Sequence, residues 1–365
     1  MLKQDLLDFN LQELQDFCVL NKLPKFRATQ IWRWIYCFGI RSFKDMNNIS
    51  KITREFLNEI SMITRLEVSE MQKSKDGTIK WLIKLNDGSE IETVYIPQED
   101  RGTVCLSSQV GCTLNCSFCH TGTQALVRNL KSSEIIGQLM LVMDHLHDWP
   151  SGKSNRKVTN IVMMGMGEPL LNYEEVSKAI KVMLSDDGIS LSRRRITLST
   201  SGIIPLIEKA GMDLGVNLAI SLHAVNDKLR NQLVPINKKY NLESLIEACR
   251  NYPNLSNSRR ITWEYVMLRD INDTEKDAKN LIKLIRGIPS KINLIPFNPW
   301  PGSFFKTSTK KNIDMFAKVI MEAGFASPIR KPRGQDIYAA CGQLKSDTEK
   351  LRKSQINKLV PIHAI

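Results

Sequence analysis

The sequence predicts an α/β fold, a partial, splayed (β/α)6 barrel of TIM-like kind behind a small helical unit with an appended β-hairpin sheet. Three observations carry this expectation. From residue 103 onward, six short apolar segments alternate with helical stretches, the pattern of a parallel sheet with right-handed crossovers. Six such units are too few to close an eight-fold barrel. Before them, apolar residues recur at helical spacing, and two Asp-Gly turns separate short strands.

In chain order, residues 1 to about 62 read as helical. Leu11, Leu14, Phe17 and Cys18 form one apolar stripe, and Ile31, Trp32, Trp34 and Ile35 another. Lys75-Asp76-Gly77 and Asn86-Asp87-Gly88 are hairpin turns between strands expected over 65–72, 78–84 and 90–96. Parallel strands are expected over 103–108, 159–164, 195–200, 215–222, 261–267 and 291–297. Helices are expected near 132–147, 173–185, 203–210, 241–251, 274–286 and 309–323. This gives an accessory domain over 1–97, a core domain over 98–343 and a charged tail over 344–365. No internal repeat or low-complexity segment interrupts the pattern.

At 42% hydrophobic and 24% charged residues, the composition is that of a soluble globular protein and not of a disordered one. The polar start Met1-Leu2-Lys3-Gln4-Asp5 lacks the apolar core of a signal peptide. No apolar run reaches the 18 or so residues of a membrane helix. A cytoplasmic location without membrane attachment is expected, where the eight cysteines stay reduced outside a catalytic cycle. Fifty-one Lys and Arg against 38 Asp and Glu leave a net charge of +13, which favours a polyanionic partner such as nucleic acid. Basic clusters occur at Arg193-Arg194-Arg195, Arg259-Arg260, Lys310-Lys311 and Arg330-Lys331-Pro332-Arg333. Any one of them is also explained as a solvated face.

Cys112, Cys116 and Cys119 stand in the spacing Cys-x3-Cys-x2-Cys. Three thiolates this close can fold onto one face of a four-iron cluster and leave one iron open for chemistry. Zinc competes, with His120 as a fourth ligand, although the adjacent Cys119 and His120 reach one tetrahedral ion poorly. A disulfide and inert thiols are weaker competitors.

In barrels of this kind, catalytic groups lie at the C-terminal ends of the strands. The cysteine loop follows the first parallel strand. Gly165-Met166-Gly167-Glu168-Pro169 follows the second, Ser199-Thr200-Ser201-Gly202 the third and Ser221-Leu222-His223 the fourth. Asn298-Pro299-Trp300-Pro301-Gly302 follows the sixth. The polar and glycine-rich segments therefore converge on one rim.

With the cysteine loop, Gly-Met-Gly-Glu-Pro, Ser-Leu-His and Cys341-Gly342-Gln343-Leu344 together, the chain resembles the radical S-adenosylmethionine (SAM) superfamily. Within it, the chain resembles the adenine-C2 methyltransferases of 23S ribosomal RNA and transfer RNA. The resemblance spans nearly the whole chain, and it implies the following roles. Cys112, Cys116 and Cys119 hold a 4Fe-4S cluster, whose open iron takes the amino and carboxylate groups of SAM. Gly167 and Glu168 bind the SAM amino group, a carboxylate being suited to an ammonium. Ser199, Ser221, Leu222, His223 and Asn298 contact SAM, and Phe118 packs near its adenine. Read without the resemblance, Gly167 and Glu168 stand in an ordinary turn before a helix, Phe118 is a core phenylalanine and His223 a satisfied structural histidine.

The resemblance also implies that two SAM molecules are used per turnover. Cys341 takes a methyl group from one. A radical from the second removes a hydrogen from that S-methyl group, and the resulting carbon radical adds to carbon 2 of adenine. Glu92 accepts the carbon-2 proton, and Cys105 releases the RNA by forming a transient disulfide with Cys341, which a cellular dithiol reductant resets. A one-electron donor is a further partner, and a monomer is expected. Cys18, Cys37 and Cys249 match no catalytic position. Arg193–Arg195 and the basic N-terminal domain are the expected RNA phosphate contacts. The alternatives are a carbon-8 adenine methyltransferase of the antibiotic-resistance type, with the same cluster and cysteines, and a non-enzymatic, zinc-stabilised RNA-binding protein. Pro169 after Glu168 and the fuller N-terminal domain favour carbon 2.

Overall fold

A computed structural model describes residues 3–346. The chain opens with the short strand β1 (Gln4–Asp5), followed by α1 (Leu11–Leu20), α2 (Phe26–Tyr36) and α3 (Lys51–Ile60). Strand β2 (Ser61–Met62) then returns to pair in parallel with β1. The first 62 residues are helical as expected, apart from this small pair. Asn10 starts α1 through a reciprocal capping box with Glu13, which satisfies two backbone donors that a helix start leaves free. Leu14 and Phe17 of α1 meet Ile31, Trp32 and Ile35 of α2 in one buried core.

Next come β3 (Glu67–Lys73), β4 (Ile79–Lys84), β5 (Glu90–Gln98) and β6 (Arg101–Cys105), each antiparallel to the one before. A small ladder, β7 (Gln109–Val110) with β8 (Arg128–Asn129), brackets the cysteine loop. The alternation follows: α4 (Ser132–His145), β9 (Asn160–Met163), α5 (Tyr173–Leu184), β10 (Ile196–Thr200), α6 (Ile204–Leu214) and β11 (Asn217–Ser221). It continues with α7 (Asp227–Leu233), α8 (Leu242–Arg250), β12 (Ile261–Met267), α9 (Glu275–Leu284), β13 (Ser290–Pro296) and α10 (Lys310–Glu322). All six parallel strands and their helices stand where the periodicity puts them. Helix α7 is additional. The first parallel strand ends at Cys105, short of the expected residue 108.

One nine-stranded sheet runs in the order β13-β12-β11-β10-β9-β6-β5-β4-β3. The hairpin strands expected as an appendage are thus hydrogen-bonded into the core sheet across residues 97 and 98. The six strands from β6 to β13 are parallel and form an open, partial barrel. Residues 326–330 run along the β13 edge, with bridges from Lys291 to Ala326 and from Leu294 to Ile329. The charged tail from residue 347 lies outside the described residues.

Register decides which side chains face the lumen. Cys105 pairs with Val162, Val162 with Thr197, Ser199 with Ala219, Ser221 with Glu264 and Glu264 with Asn293. Side chains alternate with period two. Arg101, Thr103, Ser199, Ser221, Glu264, Val266, Lys291, Asn293 and Ile295 therefore share the lumen face. The opposite face carries Ile161, Leu198, Ile220, Trp263 and Leu294, all buried. Among the described residues, no helix is long and apolar enough to cross a membrane.

Candidate active site

The C-terminal rim of the six strands encloses a cavity of about 160 Å³. Cys112, Cys116 and Cys119 all line it, together with Gly167, Glu168, Ser199, Ser221, His223 and Cys341. Convergence on one rim is what the order of the segments predicts.

The cysteine loop is shaped by local backbone demands. Gly111 has φ +76°, and a Cβ there would lie 2.1 Å from the Ala125 carbonyl oxygen, so only glycine fits. Hydrogen bonds from Cys119 N to Cys116 O (3.1 Å) and from Gly122 N to Cys119 O (3.0 Å) curl the loop over the cavity. Burial pushes the thiols of Cys112 (to about 12), Cys116 and Cys119 above their ordinary range. The Arg230 cation offsets this in part for Cys116. Three desolvated soft donors facing one cavity suit a cationic iron–sulfur group that would draw them into the thiolate form.

Zinc fits less well. Among the described residues, no three His, Cys, Asp or Glu side chains gather closely enough to chelate a single ion. A four-iron cluster spreads its thiolates over a larger body. The His120 ring stacks on Trp300 at 4.6 Å, and its Nδ1 lies 3.2 Å from Gln343 O.

Glu168 is buried on the cavity wall. Its Oε2 accepts from Ser201 N (2.8 Å) and its Oε1 from Leu170 N (3.1 Å). Burial raises its carboxyl to about 7. Among the described residues, none of the ion pairs involves Glu168. A buried carboxylate with no protein cation beside it is chemically suited to an ammonium. Gly167, at φ +97°, brings the backbone so close to Gln109 that a Cβ would meet the Gln109 Cβ at 2.5 Å. The Gln109 Oε1 accepts the Glu168 N–H at 2.9 Å.

His223 has left-handed backbone, φ 59°. Its Nδ1 accepts the Val266 N–H at 3.0 Å, which puts the ring proton on Nε2. Burial, then the Arg230 charge, push it down to about 3, so the ring is neutral. Its ring meets Phe118 edge-on at 4.5 Å. Leu222 and Asn298 do not line the cavity. The Leu222 contribution is its backbone, whose O accepts from Arg230 Nε at 3.0 Å. Asn298 Oδ1 accepts from Gln335 Nε2 at 3.1 Å.

Cys341 is exposed and sits on a strap, residues 334–346, laid across the rim. Gly334 N donates to Asp76, Ser74 to Asp336 and Gln343 Nε2 to Pro299 O. Thr121 donates to Leu344 O and Lys345 N to Glu92 Oε2. Loss of water around the Cys341 thiol raises it; Arg330 pulls it down and Glu264 pushes it up. Cys105 ends β6 and does not line the cavity. Burial raises its thiol, and the Cys341 charge adds to the effect, so the two sulfurs are within electrostatic reach. Both are free thiols. Glu92 is also off the cavity wall. It is buried, pairs with Lys80 at 2.7 Å and is raised chiefly by burial, with Lys80 opposing.

Two residues escape sequence reasoning. Arg230 on α7 is fully buried and donates to the carbonyls of Leu222, Ser201 and Ser221 and to Asn237 Oδ1. It binds together the C-terminal ends of β10 and β11. Glu264 lines the cavity and accepts from Asn293 Nδ2 at 2.7 Å. Arg193–Arg195 form a turn at the opposite end of β10 from the cavity.

Comparison with known proteins agrees with this geometry. Residues 4–63 match the ribosomal RNA large subunit methyltransferase N-terminal domain, and residues 106–284 match the radical SAM superfamily. The dual-specificity RNA methyltransferase RlmN of Bartonella tribocorum is 58% identical over 96% of this chain and 89% of its own length. The chain belongs to the RlmN family. The RlmN of Sinorhizobium fredii is also 58% identical, over 92% of this chain and 85% of its own. The crystal structure of a radical SAM methyltransferase from Sphaerobacter thermophilus superposes with a TM-score of 0.86 at 39% identity, covering 94% of this chain and 99% of that one. RlmN-family membership makes the chain a SAM-dependent methyltransferase with a 4Fe-4S cluster, and the thiols and the unpaired Glu168 described above fit both groups.

Proposed function

We propose that this chain forms 2-methyladenosine in 23S ribosomal RNA and in transfer RNA, using Cys341 as a methyl carrier. The observation that carries the reading is one cavity wall shared by three cluster cysteines, a buried carboxylate without a cation and a strap-borne thiol. Carbon 2 of adenine is a poor nucleophile, so polar methyl transfer fails there. The bound cluster and SAM supply the one-electron chemistry that such a carbon accepts.

The chain's own residues do the rest. Cys112, Cys116 and Cys119 hold the cluster. Glu168 receives the SAM ammonium, and the Gly167 backbone allows the close approach. Ser199, Ser221, His223 and, through the rim, Leu222 and Asn298 orient the SAM. The Cys341 thiolate accepts the methyl group and presents it to the target base. Glu92, whose carboxyl is drawn toward protonation by burial, takes the carbon-2 proton. Once the adduct has given one electron back to a one-electron carrier and lost that proton, the Cys105 thiolate attacks the Cys341 sulfur. The bond from that sulfur to the adenine-bound carbon breaks, its electron pair stays with that carbon, which takes up a proton to become the methyl group, and a disulfide remains for a dithiol reductant to reopen. The strap ties Glu92 to Cys341 through Lys345, so proton acceptor and methyl carrier are held in one framework. The protein is cytoplasmic and works as a monomer with a cellular one-electron donor.

The test is nucleoside mass spectrometry after anaerobic turnover with ribosomal and transfer RNA. The expected product is 2-methyladenosine. A carbon-8 product, or a colourless protein without methyl transfer, overturns the reading.

A further inference from the structure

The barrel lumen carries a second polar layer, below the cavity, that the proposed chemistry does not use. On the lumen face, Arg101 lies two steps below Thr103 and four below Cys105 on β6, and Lys291 lies below Asn293 on β13. Arg195, in the turn before β10, reaches the lumen face by donating to Asn160 of β9, and Arg260 immediately precedes β12 in the strand alternation. Arg330 joins from above: the segment along β13 places it level with the cavity-lining Ile295, its N–H bonded to Leu294 O at 2.8 Å, and its charge reaches down to Arg101 and Lys291. Arg101 and Lys291 are half-buried, and the other three are exposed.

Among the described residues, these charges lack salt-bridge partners. Arg195 Nη1 donates to Asn160 Oδ1 and Arg260 Nε to Asn257 O, both neutral acceptors. The buried Nε of Arg101 has no hydrogen-bond partner. Burial, then Arg330 and Arg195, lower Arg101, and burial, then Arg330, lower Lys291, with Glu264 the one carboxylate opposing. Crowded like charges of this kind are relieved by a bound anion. Arg330 also acts on the Cys341 thiol, which keeps this layer within electrostatic reach of the methyl carrier.

The layer is broader than one phosphate group. Arg101 and Arg195 are separated by two strand spacings, about 10 Å, and Arg260 and Lys291 extend the layer across β12 and β13. Arginine forks suit phosphate oxygens. We infer that Arg101, Arg195, Arg260, Lys291 and Arg330 form a binding site for successive phosphates of the RNA strand beside the target nucleotide, holding its unstacked base toward Cys341. This rests on the RNA methyltransferase reading above and names the residues that grip the substrate.

The test uses reconstituted holoenzyme and a transfer RNA transcript, with affinity measured across a salt series. The double variant Arg101→Gln with Lys291→Gln should bind about tenfold more weakly. Its salt slope should fall by about 1.4, at roughly 0.7 for each single-strand phosphate that the protein no longer neutralises. Lys310→Gln with Lys311→Gln removes equal charge outside the lumen and should leave the slope unchanged. Iron content and RNA-independent 5′-deoxyadenosine formation should match wild type in both. If the lumen double variant loses iron, the exposed Arg330→Gln replaces it, with an expected fall in slope of about 0.7. Wild-type affinity and slope in the lumen variants, or an equal fall in the Lys310/Lys311 control, overturn the inference. Failure of the wild-type enzyme to bind or methylate RNA overturns instead the reading it rests on.

Discussion

Asn298 Nδ2 donates to the carbonyl oxygen of Cys341 at 3.2 Å. This bond joins the C-terminal end of β13 to the strap, so the strand that helps build the cavity also fixes the proposed methyl carrier. The same side chain accepts from Gln335 and therefore clasps the strap at two points. Asn298→Ala should cost about 1–2 kcal/mol, from two hydrogen bonds at roughly 1 kcal/mol each. Peptide mass spectrometry should find Cys341 less fully S-methylated. Full occupancy in the variant would show that the clasp is dispensable.

Arg230 is a buried cation that satisfies four acceptors at once. Arg230→Met should destabilise the protein by about 3–5 kcal/mol, because it orphans four neutral acceptors at roughly 1 kcal/mol each. Arg230→Lys should rescue little, since a point charge cannot reach the same set. Denaturant unfolding of the two variants checks both statements, and a near-wild-type Lys variant would refute the fork argument.

The strand–helix alternation was legible because each parallel strand is a short apolar run followed by a helical stripe. Helix α7 was not. It is seven residues long, and its one inward side chain besides Leu233 is Arg230, which breaks the apolar period. Glu264 was equally hidden: in Ile-Thr-Trp-Glu-Tyr-Val-Met, a strand buried on both faces, nothing in the local pattern marks the carboxylate as lining a cavity. The cysteine loop and Glu168 were visible as motifs. The strap was visible only as Cys341, because its anchors come from Asp76, Thr121, Asn298 and Pro299, far away in sequence.

Glu168 gives a pH signature. Its folded-state value of about 7 stands above the ordinary 4.5, so the folded chain holds the extra proton between those limits. The stability it contributes is complete below about pH 4.5 and is lost as pH rises through about 7, on the order of 3 kcal/mol. Cluster-free wild type should therefore lose stability across this window more steeply than Glu168→Gln in urea unfolding. Parallel pH profiles would contradict the assignment. SAM, by supplying an ammonium, should flatten the wild-type profile.

Gly111 tests the loop. Alanine there would set a Cβ 2.1 Å from the Ala125 carbonyl oxygen at φ +76°, a clash with backbone that has nowhere to relax. Gly111→Ala should bind less iron and sulfide per chain after reconstitution while α1 to α3 stay folded by hydrogen exchange. Wild-type iron content would mean that the loop tolerates the side chain.

The account depends most on Cys341 as the methyl carrier. Peptide mass spectrometry of active protein taken directly from cells tests it. The prediction is S-methylation of Cys341 and of no other cysteine. An active preparation in which Cys341 is wholly unmodified would contradict it.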